Sequence, residues 1–281
     1  MKIQKISLIL LVLVAGSQML LAEEESIAQV EVKESHASDD TEALAKAVQN
    51  PVASMISLPF QNNINTGIGT NDETQNILNI QPVWPFELND DWNLITRTIM
   101  PVTSQPNALT GEGRINGLGD TTFSALLSPV DVGDIIWGVG PIFLFPTATN
   151  DTLGSDKWGA GVSAVVLTMP GKWVIGTLVN NIWSFAGSGD KDVNSFLLQY
   201  FINYNFDDGW YFTSAPIITA NWEEDNDHRW TIPFGGGFGK IFKIGDQSMN
   251  AQLSAYKNVV TPDDYGADWQ FRVQLQFLFP K

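Results

Sequence analysis

Few side chains in this sequence have the type and spacing that covalent chemistry needs. Its 281 residues include no cysteine and only two histidines, His36 and His228. Without thiolates there is neither a disulfide framework nor a thiolate metal site, and two imidazoles so far apart share no ligand spacing. No G-x-S-x-G elbow and no phosphate-cradling glycine loop occurs. Gly235-Gly236-Gly237 falls inside an extended stretch, where relief of sheet curvature is the better explanation. A serine activated by His228 is the one hydrolytic dyad open to the chain, but a lone histidine at a loop edge is far more often solvated. The residues therefore imply a protein that is not an enzyme, with no cofactor and no metal.

Carboxylates gather in polar stretches instead: Asp151 and Asp156; Asp190 and Asp192; Glu223, Glu224, Asp225 and Asp227; Asp263, Asp264 and Asp268. Hard divalent cations favour such oxygens. No run carries the glycine and terminal glutamate of a Ca²⁺ loop, so loops kept soluble by charge are the simpler reading. A net charge of −16, with 15 basic against 31 acidic residues, excludes nucleic acid as a partner, because phosphate binding needs clustered Lys and Arg. A third set is subtler. Asn79, Gln81, Asn93, Arg97, Gln199, Asn203, Arg272, Gln274 and Gln276 each alternate with apolar neighbours.

Alternation of that kind belongs to strands, whose successive side chains point to opposite faces. The last stretch is the clearest: Phe271, Val273, Leu275, Phe277 and Phe279 alternate with Gln270, Arg272, Gln274, Gln276 and Leu278. Strands are expected near 54–68, 74–85, 92–100, 119–128, 135–146, 159–169, 172–184, 195–206, 210–222, 228–239, 248–258 and 270–279. Asn89-Asp90-Asp91, Pro170-Gly171 and Asp207-Asp208-Gly209 supply tight turns. Pro82, Pro141, Pro216 and Pro233 lie within these stretches, where Pro marks a bulge or an edge.

Composition decides what the strands build. Charged residues make up 16% of the chain, well below the roughly one quarter usual in soluble domains. The mature part nevertheless lacks the roughly 18 consecutive apolar residues of a membrane helix. Short connections near 86–91, 129–134, 170–171, 207–209 and 240–247 alternate with longer polar ones near 103–118, 147–157, 185–193, 223–227 and 259–267. Aromatic residues sit at strand ends: Trp84, Phe86, Trp92, Trp158, Trp173, Trp183, Trp210, Trp222, Trp230 and Trp269. An even strand count, alternating connections and two aromatic girdles describe an all-β, antiparallel transmembrane β-barrel of about twelve strands, favoured over a soluble sandwich. In such a barrel the nine polar residues face the lumen. An arginine facing lipid at mid-depth would cost about 2–4 kcal/mol, which drives Arg97 and Arg272 inward. There they either line a pore and select solutes by charge, or pair with lumenal carboxylates and fill it.

Lys2, Lys5 and the apolar run Ile6 to Ala15 read as a signal peptide spanning 1–22, with cleavage after Ala22 despite the poor Leu20. Residues 23–50 form an acidic arm followed by a short N-terminal helix, Thr41 to Gln49, with Leu44 and Val48 spaced i to i+4. Sequence alone favours a linker for this helix over an element packed in the barrel. The barrel itself occupies 51–281.

With the strands laid out, the chain resembles the MetA-pathway of phenol degradation family, whose members are commonly labelled transporters or, misleadingly, neuromedin U. The resemblance rests on Gln49-Asn50-Pro51-Val52-Ala53, Ser57-Leu58-Pro59-Phe60-Gln61-Asn62-Asn63, Asn79-Ile80-Gln81-Pro82 and Trp92 through Thr98. It continues in Gly117-Leu118-Gly119-Asp120, Gly138-Val139-Gly140-Pro141, Pro146 through Thr149, Leu153-Gly154, Lys157-Trp158-Gly159 and Gln274 through Phe277. It implies an outer-membrane barrel of a Gram-negative bacterium that handles small, apolar or aromatic molecules, and it transfers no catalytic residue. Partners on this reading are outer-membrane lipid, the outer-membrane assembly machinery and an unknown solute. The rival readings are a non-transporting barrel that binds surface lipid, cations or envelope proteins, and a soluble periplasmic β-protein.

Overall fold

The computed structural model describes residues 42–69, 71–107, 113–131, 133–263 and 265–280. The signal peptide, the acidic arm with His36, and Thr41 at the helix start lie outside the described residues. Fifteen strand segments form one antiparallel sheet: β1 (Ile56–Ile68), β2 (Glu73–Ile80), β3 (Val83–Glu87), β4 (Trp92–Pro106), β5 (Arg114–Leu118), β6 (Thr121–Pro129), β7 (Ile136–Phe145), β8 (Lys157–Thr168), β9 (Trp173–Gly187), β10 (Asn194–Asn205), β11 (Trp210–Ser214), β12 (Ile217–Asn221), β13 (Trp230–Ile244), β14 (Gln247–Val260) and β15 (Trp269–Phe279). Three pairs are single staves with a break. Gln81-Pro82 separates β2 from β3, Gly119-Asp120 separates β5 from β6, and Ala215-Pro216 separates β11 from β12. That leaves twelve staves, and β15 pairs with β1 from Ile56↔Phe279 to Thr66↔Trp269, closing the ring. No sheet edge is left open, as spanning a lipid core requires.

Two of the four expected irregular prolines sit in these breaks, where no ladder donor is needed. Pro233 follows a register shift in β13, and the β6–β7 ladder skips from Ser124↔Ile142 to Leu127↔Val139 around Pro141. The breaks are stitched. Gln81 N–H donates to the Pro59 carbonyl at 2.9 Å, and Thr98 N–H donates to the Pro82 carbonyl at 3.1 Å.

Short turns collect at one end, at 88–91, 130–135, 169–172, 206–209 and 245–246, and longer loops collect at the other. The stretches expected to be loops at 103–118 and 240–247 are largely strand, because β4 runs to Pro106 and β13 to Ile244. Pro170-Gly171 turns as its sequence demands: Gly171 has a φ of 54° and Trp173 N–H donates to the Pro170 carbonyl at 3.0 Å. All ten tryptophans divide evenly between the ends. Trp84, Trp92, Trp137, Trp173 and Trp210 lie toward the short turns, and Trp158, Trp183, Trp222, Trp230 and Trp269 toward the long loops. Between the girdles the outer wall is aliphatic and aromatic, with Val162, Phe234, Phe238 and Leu253 more than half exposed. A wall of this kind seats in hydrocarbon.

Close backbone approach shapes β13 against β14. A Cβ on Gly237 would lie 1.9 Å from the Leu253 carbonyl oxygen and 2.5 Å from the Ser254 Cα, so only glycine fits. Gly237→Val is expected to block closure of the β13–β14 ladder. The check is gel mobility of the refolded protein: wild type should shift on boiling, and the variant should migrate alike boiled and unboiled.

Candidate functional site

The lumen is stoppered at its short-turn end by the chain's own N-terminal segment. The helix α1 (42–49) turns Ala45, 1% exposed, onto Tyr211 of β11 and Ile241 of β13, with Leu44 and Val48 packed beside them. Gln49 Nε2 donates to Asn205 Oδ1 at 2.8 Å, and Asn205 Nδ2 donates to the Lys172 carbonyl at 3.2 Å. Beyond Pro51, Val52 enters an apolar cluster with Ile95, Leu126, Val165, Leu178 and Phe201. The segment thus crosses from β11 and β13 to the opposite wall. This corrects the expectation of a linker. Burying Val52 and Met55 is worth about 1.5–3 kcal/mol for each side chain, which a short amphipathic segment gains only inside the barrel.

Above this plug the lumen is lined by both polar and aliphatic side chains. A cavity of about 240 Å³ is lined by Ile95, Ile99, Leu126, Ile142 and Leu178 together with Gln61, Asn79, Gln81, Arg97, Ser124, Ser163 and Gln199, with Arg97 standing between Ile95 and Ile99 on one face of β4. A smaller space of about 160 Å³ adjoins it and is bordered by Gln81, Arg97, Gln199, Arg272, Gln274 and Gln276 together with plug residues 47–51 and 53. An Arg97 Nη donates to the side-chain oxygen of Gln81. Arg272 is more heavily engaged. Its Nε donates to Asn63 Oδ1 at 3.0 Å, one Nη to the Ala215 carbonyl at 3.0 Å and the other to Gln270 Oε1 at 3.1 Å, and its guanidinium lies 5.0 Å from the Tyr256 ring centroid. The Ala215 carbonyl is available because Pro216 interrupts the stave there. Gln199 Nε2 reaches the same oxygen at 3.3 Å.

A row of amides runs from Arg272 toward the loops. Gln270 donates to Asn65 at 3.3 Å, Asn65 to Gln75 at 2.9 Å, Gln75 to Gln105 at 2.9 Å, and Gln105 to the Thr152 carbonyl at 3.0 Å. These groups rim a vestibule of about 820 Å³ that opens among the long loops and adjoins the deeper cavity at Ile217.

Of the nine polar residues singled out in the sequence, Asn79, Gln81, Arg97, Gln199, Arg272, Gln274 and Gln276 border these two inner cavities. Asn93 and Asn203 do not. Asn93 carries a buried side-chain oxygen without a partner, and Asn203 is buried on the same face of β10 as Asn205. Asn65, Gln75 and Gln105 were missed. Asn65 shares the phase of Gln61 and Asn63 in β1, and that alternation was signal enough to find it.

The acidic loops are held by local contacts. Lys157 meets Asp192 at 3.2 Å, Lys191 meets Glu224 at 3.3 Å, and Lys257 meets Asp268 at 3.0 Å. Asp225 caps the short helix α2 (Asn226–Arg229) and bonds His228 Nδ1 at 2.8 Å; that bond holds the Asp225 carboxyl below the usual carboxylate range. His228 stacks on Tyr265, with ring centroids 5.6 Å apart. Among the described residues no three His, Asp or Glu side chains converge as a metal site would require.

No protein-family model and no curated protein matches the chain. Among solved structures it is similar to the crystal structure of an outer membrane channel from Pseudomonas putida F1, at 18% identity and a TM-score of 0.60, covering 80% of this chain and 94% of that one. At that identity the likeness is one of fold. Looser overlaps exist with a CymD monoaromatic hydrocarbon channel, at 9% identity and a TM-score of 0.47, covering 85% and 92% of the two chains. Outer membrane phospholipase A from Escherichia coli overlaps at 11% identity and a TM-score of 0.41, covering 80% and 92%. Neither of these bears on function here.

Proposed function

We propose that this chain is an outer-membrane channel of a Gram-negative bacterium through which small molecules pass, apolar and aromatic ones among them. The observation that carries the reading is the row of adjoining spaces from the loop vestibule to the plug, lined by amides and two arginines among aliphatic side chains. A barrel that served only as an anchor would have its interior filled by side chains. The resemblance to the MetA-pathway of phenol degradation family supports the choice of solute. Transport is assigned to the molecule, and catalysis is not. On this reading the outer wall meets outer-membrane lipid, and the aromatic last strand, Trp269–Phe279, is what the assembly machinery would engage.

The test is reconstitution. Detergent-extracted protein should shift in gel mobility on boiling, produce discrete conductance steps in planar bilayers, and admit small solutes into liposomes. An outer-membrane protein that neither conducts nor admits solutes would replace the channel with the non-transporting barrel. Extraction without detergent would overturn the membrane reading altogether.

A further inference from the structure

The two lumenal arginines have no counter-charge. Arg97 has Gln81 as its hydrogen-bond partner, and every acceptor around Arg272 is neutral: a side-chain amide, a backbone carbonyl and a second amide. Among the described residues no carboxylate pairs with either. A guanidinium stays protonated at any pH the protein survives. Both groups border the same confined space, so their fields add where walls and plug leave little water to screen them. The second of the two expectations raised by the sequence, a lumen neutralised by its own carboxylates, therefore does not hold among these residues.

The two groups differ in what they have left to offer. Arg272 bonds the wall through its Nε and both Nη atoms, three of its five N–H groups. Arg97 has one bonded Nη and borders both inner cavities. Ile95 and Ile99 flank it on the same face of β4, and Leu126, Ile142 and Leu178 also line the larger cavity. The site thus joins a two-pronged donor suited to a carboxylate with aliphatic side chains beside it. Its volume of about 240 Å³ falls below the range of roughly 300–1,000 Å³ typical of drug-sized ligands, which limits the occupant to a small molecule.

We propose that this cavity is a binding subsite for a small organic monocarboxylate, its carboxylate on Arg97 and its apolar body against the Ile95–Leu126–Ile142 wall. The proposal rests on the channel reading and narrows its solute. The acidic outer loops oppose entry of an anion, but exposed charges are screened beyond a Debye length of about 8 Å at physiological ionic strength, and the subsite lies deep. Arg272 acts as a positioning residue through its field.

The experiment is equilibrium binding to the full mature protein in detergent, by calorimetry, with three probes of one shape: benzoate, benzamide and benzylammonium. Benzoate should bind at least roughly tenfold more tightly than benzamide, the factor a single charge-assisted hydrogen bond supplies, and benzylammonium should not bind measurably. Arg97→Gln should bring benzoate down to the benzamide level, while Arg97→Lys keeps part of the preference. Equal affinity for benzoate and benzamide would overturn the subsite, and the wild-type comparison decides this even if a variant fails to fold. Binding is read without flux, so the two readings fail separately. Benzoate bound by a protein that conducts nothing removes the channel and keeps the subsite, whereas conductance without carboxylate preference does the reverse.

Discussion

Removing residues 23–53, so that the plug is lost and the barrel strands remain, is expected to raise single-channel conductance several-fold over the intact chain. The plug spans the short-turn end from Tyr211 and Ile241 to the Val165–Phe201 side and is pinned midway by Gln49 on Asn205. The smaller inner cavity is bordered by plug residues 47–51 and 53. A subtler variant tests the same point without deletion. Ala45→Glu places a carboxylate between Tyr211 and Ile241, where the native side chain is 1% exposed, and an unpaired buried charge is costly enough to eject the helix. Planar-bilayer recordings of both variants give the result. Unchanged conductance in the deletion would mean that the plug does not set the constriction.

The second large effect concerns stability. Arg272→Ala should destabilise the folded barrel by about 2–4 kcal/mol, read as a shift in urea unfolding in detergent micelles. The loss removes the donor to the Gln270 oxygen, leaves the Asn63 oxygen and the Ala215 carbonyl with only their longer bonds from Gln61 and Gln199, and strips the cation from the Tyr256 ring. Unsatisfied buried acceptors cost about 1–3 kcal/mol each, and water entering from the adjoining cavity recovers part of that. Arg97→Ala serves as the contrast. With one amide partner and a cavity beside it, its loss should fall within about 1 kcal/mol of wild type. Similar costs for both would remove the distinction between a structural and a ligand-facing arginine.

The sequence exposed the polar half of this barrel and concealed the apolar half, for a physical reason. In β15 and β1 one face meets lipid and the other meets amide-lined space, so the residue types alternate and both the strand and Arg272 can be read directly. In β8 the outward Val162 and Val166 flank the inward Val165 and Leu167. Both faces are apolar there, because the interior carries an aliphatic wall. The run Ala164-Val165-Val166-Leu167 shows that a strand exists but not which residues face the lumen. The plug was illegible for another reason. Its docking rests on a small residue, Ala45, and on a hydrogen bond between Gln49 and Asn205, 156 positions away. Neither leaves a periodic trace in a helix of about two turns. The amide row was within reach: the alternation of Gln61, Asn63 and Asn65 marks the face that Gln75 and Gln105 extend.

The seam between β1 and β15 bears on how the molecule can be made. Eleven register pairs join the first strand to the last, so the ring stays open through synthesis and export until Phe279 is available. Until then the chain carries two unpaired strand edges, each able to template association with another copy. The plug leads directly into β1, so the same zipping event that removes those edges also anchors the stopper at the lumen wall. Loss of only a few C-terminal residues would therefore cost far more than the contacts they make, leaving an unclosed sheet with its stopper tethered to a free edge.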